Sequence, residues 1–450
     1  MVRGHASRDV VSYAGAARYG QGRSPYRDHE PLVRALPIVL VSVAIASFQT
    51  NLVPYFGQSL SGFPGWRAAY YGFGMLLLVA ACVAFILNKR ARRLALPTVA
   101  ICALSGALVL MYPVDVVSKS FLMAMAFCTS LVILTSCIDE TKVLHFAALA
   151  VAFNAVVCLV NIMLQNGFTN TAGRAAGLAQ GPNLAASQLV LGAAVVWRAV
   201  PRQLMWSFLF LITAALVATL SRSGMAIGLT AALAAGTGYA ITRRPHIDAI
   251  KWRDIGFGAA ILCWMAAAMI ANHRFSVASD AAYKSIGQVA KVVAEAPANI
   301  IVSMPKEAAH NELKILDKQV VTEGEVNSAS ARSLLMRRAL IRYSMSPWVG
   351  VGPKEAHALA PHSTYLLFAL AFGVAGLVVS VGFIGLASLA AIKTGAWEFP
   401  LTVAALFAVS HDMLLFPSSI ILLAIGIATL QAQAKGPRLA DVISSNATEA

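Results

Sequence analysis

The chain returns repeatedly to apolar runs close to the length of a bilayer crossing. "YYGFGMLLLVAACVAFILN" and "STYLLFALAFGVAGLVVSVGFIGLASLAAI" are two of them. A helix needs about 20 such residues to span the hydrocarbon layer. Only helices and closed barrels satisfy every backbone polar group there. The runs read as twelve spans, at 35–53, 68–88, 94–113, 119–137, 143–164, 183–198, 204–220, 224–242, 255–271, 362–385, 397–412 and 415–432. The expected fold is therefore an all-α polytopic membrane protein of about twelve transmembrane helices.

Composition agrees, with 58% hydrophobic and 12% charged residues. Soluble chains carry roughly a quarter charged residues. The formal charge of +15 would suggest a nucleic-acid partner on a soluble domain. Here its distribution explains it. With the N-terminus inside, "NKRARR", "WRAVPR", "TRRPHIDAIKWRD", Lys393 and "KGPR" fall on the cytoplasmic side. The opposite short loops keep only Arg67, Lys119, Arg174 and Arg222. Positive charge in short loops marks the cytoplasmic side, so both termini are expected inside and no nucleic acid is expected as a partner. The six cysteines all fall in or at the ends of apolar runs, without zinc-ligand spacing, and read as small buried side chains.

Five segments follow: 1–34, a disordered basic cytoplasmic tail; 35–271, nine transmembrane helices; 272–361, a long extracytoplasmic loop; 362–432, three more helices; and 433–450, a cytoplasmic tail. The tail is too long and too polar for a cleavable signal. Within the loop, "AYKSIGQVAKVVAEA" (282–296) and "SARSLLMRRALIRYSMSP" (330–347) have helical periodicity. In the second, Ser330 can cap the helix and Pro347 can stop it. Leu334, Leu335, Ala339 and Ile341 make its apolar stripe, and Arg332, Arg337, Arg338 and Arg342 its polar side. Residues 310–330 read as polar and mobile.

Four polar features sit where hydrophobic logic alone would not put them. Arg174 lies in a Gly-rich stretch leading to a helix that starts near Pro182–Asn183. Pro and Asn are ordinary helix-start residues, and a helix start also attracts anions. Arg222 occupies a tight turn between two apolar helices, "LSRSG". The arginines of 332–342 form a cluster. His362 stands at the mouth of an apolar helix, with Ser363 next to it and Gly373 and Gly376 further along. Glycines at that spacing permit close helix approach. Each feature also has a plain reading, as headgroup anchoring, solvated surface or packing. Together they offer arginines suited to bidentate phosphate binding and a histidine suited to proton transfer near neutral pH. No metal-ligand set is legible. His411–Asp412 is the nearest second polar pair.

"GRAAGLAQGPNLAA", "LSRSG", "SARSLLMRRAL", "SPWVGVGP" and "HSTYLLFALAFGVAG", in that order over residues 140 to 430, resemble the O-antigen ligase family of bacterial inner-membrane proteins. That family also takes in O-antigen and exopolysaccharide polymerases. The pattern His-[Asn/Ser/Gln]-x9-Gly-x-x-Gly is met by His362, Ser363, Gly373 and Gly376. A second histidine, His357, stands five residues earlier, outside the pattern. The resemblance implies a metal-independent, cofactor-free, inverting transfer of a glycan from undecaprenyl diphosphate to a hydroxyl at the periplasmic face. The acceptor would be lipid A–core for a ligase and another lipid-linked glycan for a polymerase. It implies His362 as the base and Arg174, Arg222, Arg332 and Arg338 as the diphosphate holders. A transporter is the rival class, and would call for paired interrupted helices and charges near the midplane. No such pairing is legible.

Overall fold

The computed structural model describes residues 31–59, 65–164, 173–179, 181–242, 252–271, 311–316, 328–410 and 413–435. They fall in two units, Met1–Leu36, of which only the opening of the first helix is described, and Pro37–Ala450. The helices are α1 Pro31–Ala44, α2 Leu52–Ser59, α3 Gly65–Leu87, α4 Lys89–Leu110, α5 Val116–Thr135, α6 Glu140–Met163, α7 Pro182–Val196, α8 Met205–Ala218, α9 Arg222–Thr242 and α10 Trp252–Ala271. After a short helical stretch at 311–316 come α11 Ser328–Met345, α12 Pro353–Ala358, α13 Thr364–Thr394, α14 Glu398–Val409 and α15 Pro417–Lys435. No strand occurs among the described residues.

Each of the twelve predicted spans overlaps a described helix, and seven described helices are long and apolar enough to cross a membrane: α3, α4, α5, α6, α10, α13 and α15. The chain is a multi-pass membrane protein. Its outward helix faces carry large apolar side chains in the open, among them Val79, Ile86, Leu149, Leu233 and Leu262. In water such a surface would be a liability; against lipid it is the expected one. Cys82 and Cys263 lie on these exposed faces, contrary to the expectation that all six cysteines are buried; Cys102, Cys128 and Cys158 are buried as expected.

The centre of the larger unit is α15, apolar and buried on all sides from Ile420 to Ala428. It packs against α5, α7 and α13. Helix starts are capped where the chain turns. Asn88 accepts from the Arg90 and Ala91 N–H groups at 2.9 and 3.1 Å. Asp115 accepts from Ser118 N–H at 2.7 Å. That hydrogen bond holds the Asp115 carboxyl below its usual range, and Lys354 beyond it acts in the same direction.

Three elements differ from the sequence reading. The first span is not one straight helix: α1 passes into a π-turn at Ile45–Gln49, and Asn51 then takes φ 61°. Buried amides explain the interruption. Gln49 Nε2 donates to the Ala147 carbonyl at 3.1 Å, and Asn51 Nδ2 donates to Gln188 Oε1 at 2.7 Å. Gln188 in turn donates to Ser418 Oγ at the start of α15. The second difference is in the loop. Residues 311–316, expected to be mobile, are helical, and Leu316 packs against Ile341 of α11. α11 begins at Ser328, so Ser330 lies inside its first turn rather than capping it. The 282–296 helix falls outside the described residues.

The third difference is the largest. α13 runs for 31 residues but is broken at Gly373, at φ 64° and ψ −149°. Unbroken, it would be about 46 Å long, against a hydrocarbon core of roughly 30 Å. The segment Pro347–Gly352 is laid into the break. Val351 N–H donates to the Leu370 carbonyl at 2.6 Å, Gly352 N–H to Ala371 at 3.2 Å, and Val374 N–H to Pro347 at 2.9 Å. Tyr112 Oη donates to the Val349 carbonyl on the same segment. The spacing of Gly373 and Gly376 predicts the approach of a neighbouring helix. What approaches Gly373 is loop backbone instead: a Cβ there would strike the Trp348 carbonyl and lie 2.7 Å from Val349 N. Gly350, at φ 83°, is the reciprocal position, where a Cβ would lie 2.7 Å from Gly373 N.

Gly373→Ala should therefore cost about 2 kcal/mol or more, from left-handed strain and a displaced loop. Gly385, further along the same helix, has open space around it: a Cβ there would meet nothing within 4 Å. Gly385→Ala should leave stability unchanged or raise it by up to about 1 kcal/mol, since Ala is the better helix former. Equal melting temperatures for the two variants in detergent would refute the loop-in-break account.

Candidate functional site

Hydrogen bonds show which helix ends lie together. α7 ends beside the start of α14: Trp197 Nε1 donates to Glu398 Oε1 at 2.9 Å, and Arg198 donates to both Glu398 oxygens at 2.6 and 3.1 Å. Glu398 is 2% exposed, so this pair compensates a buried charge that would be costly alone. At the other end of α14, Ser363 Oγ donates to the Phe407 carbonyl at 3.2 Å and Thr364 Oγ1 donates to that of Ser410. α7 and α14 pack against each other and so run antiparallel. The start of α7, the end of α14 and the start of α13 share one end of the bundle, while Ser418 at the start of α15 meets α7 further along, at Gln188.

Arg174 and Arg222 are at that same end. Arg174 Nε donates to the Thr219 carbonyl at 3.0 Å, and its Nη2 donates to Asn183 Oδ1 at 3.0 Å. The backbone follows, with Ala175 N–H donating to Ala218 at 3.0 Å. Ser221 Oγ donates to Asn183 Oδ1 at 3.0 Å. The "GRAAG" stretch, the first turn of α7 and the α8–α9 turn are thus tied together. Arg222 is the first residue of α9, half-buried.

His362 is half-buried and immediately precedes the N-cap of α13. Its φ is 50°, and Ala360 two residues before has φ 44°. Left-handed backbone in a non-glycine residue costs of order 1–3 kcal/mol and collects at functional sites. Leu220, two residues before Arg222, is also left-handed at φ 51°. Among the described residues only Asn51 joins these three. Ser363 accounts for the second place of the pattern: its Oγ accepts from Leu366 N–H at 3.4 Å as the N-cap of α13. His357 sits half-buried in the last turn of α12.

The arginines of α11 divide. Arg337 pairs with Glu312, and Arg342 Nε with Glu355 Oε1 at 2.6 Å; both pairs fold the loop onto itself. Arg338 is half-buried on the same helix, which joins the main core through Ala339 and packs against α13. The bland expectation of a helix lying on the membrane surface gives way to one docked on the protein. The Arg332 side chain, and His411 and Asp412, lie outside the described residues.

Sequence reasoning misses Asn183. Its position suggests ordinary helix-start chemistry, but the N-cap of α7 is Gly181, with Pro182 at the first position. The Asn183 side chain serves Arg174 and Ser221 instead. Among the described residues no group of three or more His, Cys, Asp or Glu could hold a metal ion.

An apolar cleft of about 550 Å³ lies between α7, α8 and α9. Leu216 and Met225, near the α8–α9 turn, line it, as do Val190, Leu209, Gly228 and Ala232. It reaches Glu398 at the far end and is bordered by the exposed Val217 and Leu229.

Comparison with known proteins gives one finding. A family model described as "O-Antigen ligase" matches residues 206–381, narrower than the 140–430 that the resemblance spans. The match contains Arg222, Arg332, Arg338, His357 and His362, with Gly373 and Gly376; Arg174 and Asn183 precede it. No curated protein matches.

Ser363→Ala should cost about 1 kcal/mol through the lost cap, and Ser363→Asn should retain most of it, since Asn caps as well as Ser. The check is thermal unfolding of the purified variants. A melting temperature as low for Asn as for Ala would mean that the cap is not what this residue supplies.

Proposed function

We propose, for a chain whose residues 206–381 carry an O-antigen ligase family domain, that it transfers a glycan from undecaprenyl diphosphate to a hydroxyl acceptor at the periplasmic face of the bacterial inner membrane. The observation that carries the reading is the meeting, at one end of the bundle, of the Arg174 and Arg222 segments and the strained His362 segment. Directly below the α8–α9 turn opens the apolar cleft. Its volume is within the roughly 300–1,000 Å³ of small-molecule sites, and it suits the first isoprene units of a carrier whose diphosphate lies among the arginines.

In this mechanism His362 takes the proton from the acceptor hydroxyl. The hydroxyl oxygen attacks the anomeric carbon from the side opposite the diphosphate. The bond between that carbon and the phosphate oxygen breaks, its electron pair leaves with the diphosphate, and the configuration inverts. Arg174 and Arg222, with Arg332 and Arg338 as further holders, stabilise the charge that grows on the leaving group. The guanidinium groups, that of Arg174 held by Thr219 and Asn183, fill the role a divalent ion has elsewhere, so transfer is expected to persist in a chelator. Lipid A–core is the proposed acceptor. A polymerase would run the same chemistry onto a lipid-linked glycan.

The test is glycan transfer in a host lacking its own ligase and polymerase, at matched membrane levels of each variant. His362→Ala should lose about 100-fold or more in rate, and Arg222→Ala a comparable amount. The attachment of the product's reducing end then distinguishes ligase from polymerase. Wild-type transfer by His362→Ala would end the mechanism and bring the transporter reading forward.

A further inference from the structure

Arg174 and Arg222 lie on different segments, and a diphosphate clamp needs them at a fixed separation. We propose that Asn183 is the positioning residue that sets it. Its carboxamide oxygen accepts two hydrogen bonds, from Arg174 Nη2 at 3.0 Å and from Ser221 Oγ at 3.0 Å, the residue before Arg222. One atom thereby ties the arginine-bearing loop to the residue that immediately precedes α9. The amide orientation is not a matter of choice. A guanidinium only donates, so the atom facing Arg174 must be the oxygen, which settles the flip that amides ordinarily leave open.

The tie is anchored from below. α7, which carries Asn183, is held one and a half turns further on by Gln188, bonded to Asn51 and to Ser418. From the other side, the Thr219 carbonyl takes the Arg174 Nε proton at 3.0 Å. Asn183 itself is exposed and fills no space in the core. Its removal should leave the bundle standing while Arg174 loses one of its fixed partners. This proposal rests on the reading of Arg174 and Arg222 as diphosphate holders.

The test is a double-mutant cycle on purified full-length protein in detergent, with a synthetic lipid-diphosphate glycan as varied donor and saturating acceptor. Asn183→Ala should raise the donor KM about three- to tenfold, the worth of one hydrogen bond, with a smaller effect on kcat and an unchanged melting temperature. Ser221→Ala should shift KM in the same direction. In Arg174→Ala, adding Asn183→Ala should change KM by less than it does in the wild type, because residues acting through one another are not additive. An unchanged KM in Asn183→Ala, or a fully additive double variant, overturns the positioning role while leaving the clamp intact. A wild-type donor KM in Arg174→Ala overturns the clamp itself, and with it any group for Asn183 to position.

Discussion

A peptide group without a partner inside a membrane is among the costliest defects a protein can carry, and the break in α13 would create several at once. The segment Pro347–Gly352 meets them one by one, with Val351 and Gly352 donating to the stranded carbonyls of Leu370 and Ala371 and Pro347 accepting from Val374. Much else depends on that repair. It gives the short opening half of α13 a fixed place, and His362 stands at its mouth. It also fixes where the extramembrane segment re-enters the bundle, so that α11 docks on α13 through Ala339 and α12 brings Lys354 toward Asp115.

The same end of the bundle concentrates backbone strain and cationic side chains. Leu220, Ala360 and His362 hold left-handed backbone beside the two segments that matter most to the proposed chemistry. The tight turn carrying Arg222 and the loop carrying Arg174 are not free-standing: Thr219, Asn183 and Ser221 fasten them. At the opposite end, Arg198 and Trp197 enclose Glu398. α7 and α14 are thus secured at both ends by polar contacts, with apolar packing between.

Much of this is legible in the sequence, for physical reasons that differ by element. Span 143–164 lies almost on α6, Glu140–Met163, because bilayer thickness imposes a length that apolar runs reveal directly. Arg174, Arg222 and His362 stand out because charge near hydrocarbon demands a reason, and the structure sets their segments at one end. The break at Gly373 is not legible. A glycine in an apolar helix looks the same whether it admits a helix or a loop, and the partner lies more than twenty residues upstream. Asn183 is hidden by its address, since Asn at a helix start is explained before its contacts are asked about. The buried amides Gln49, Asn51 and Gln188 escape notice because their partners come from three separate helices. Helix 311–316 escapes because its stability comes from Leu316 meeting Ile341, a contact no local pattern announces.

The cleft between α7, α8 and α9 has the exposed apolar side chains of Val217 and Leu229 on its border, and under the proposed function those side chains face lipid. A carrier chain lodged there would enter and leave sideways without its tail quitting the lipid. Supply and departure would then be matters of diffusion in a plane, with the carrier counted per unit area of membrane. Turnover would answer to the fluidity of the surrounding bilayer and to competition from ordinary phospholipid tails for the same opening. The proposed acceptor, itself anchored in lipid, would arrive in the same plane, with only its hydroxyl presented from the aqueous side.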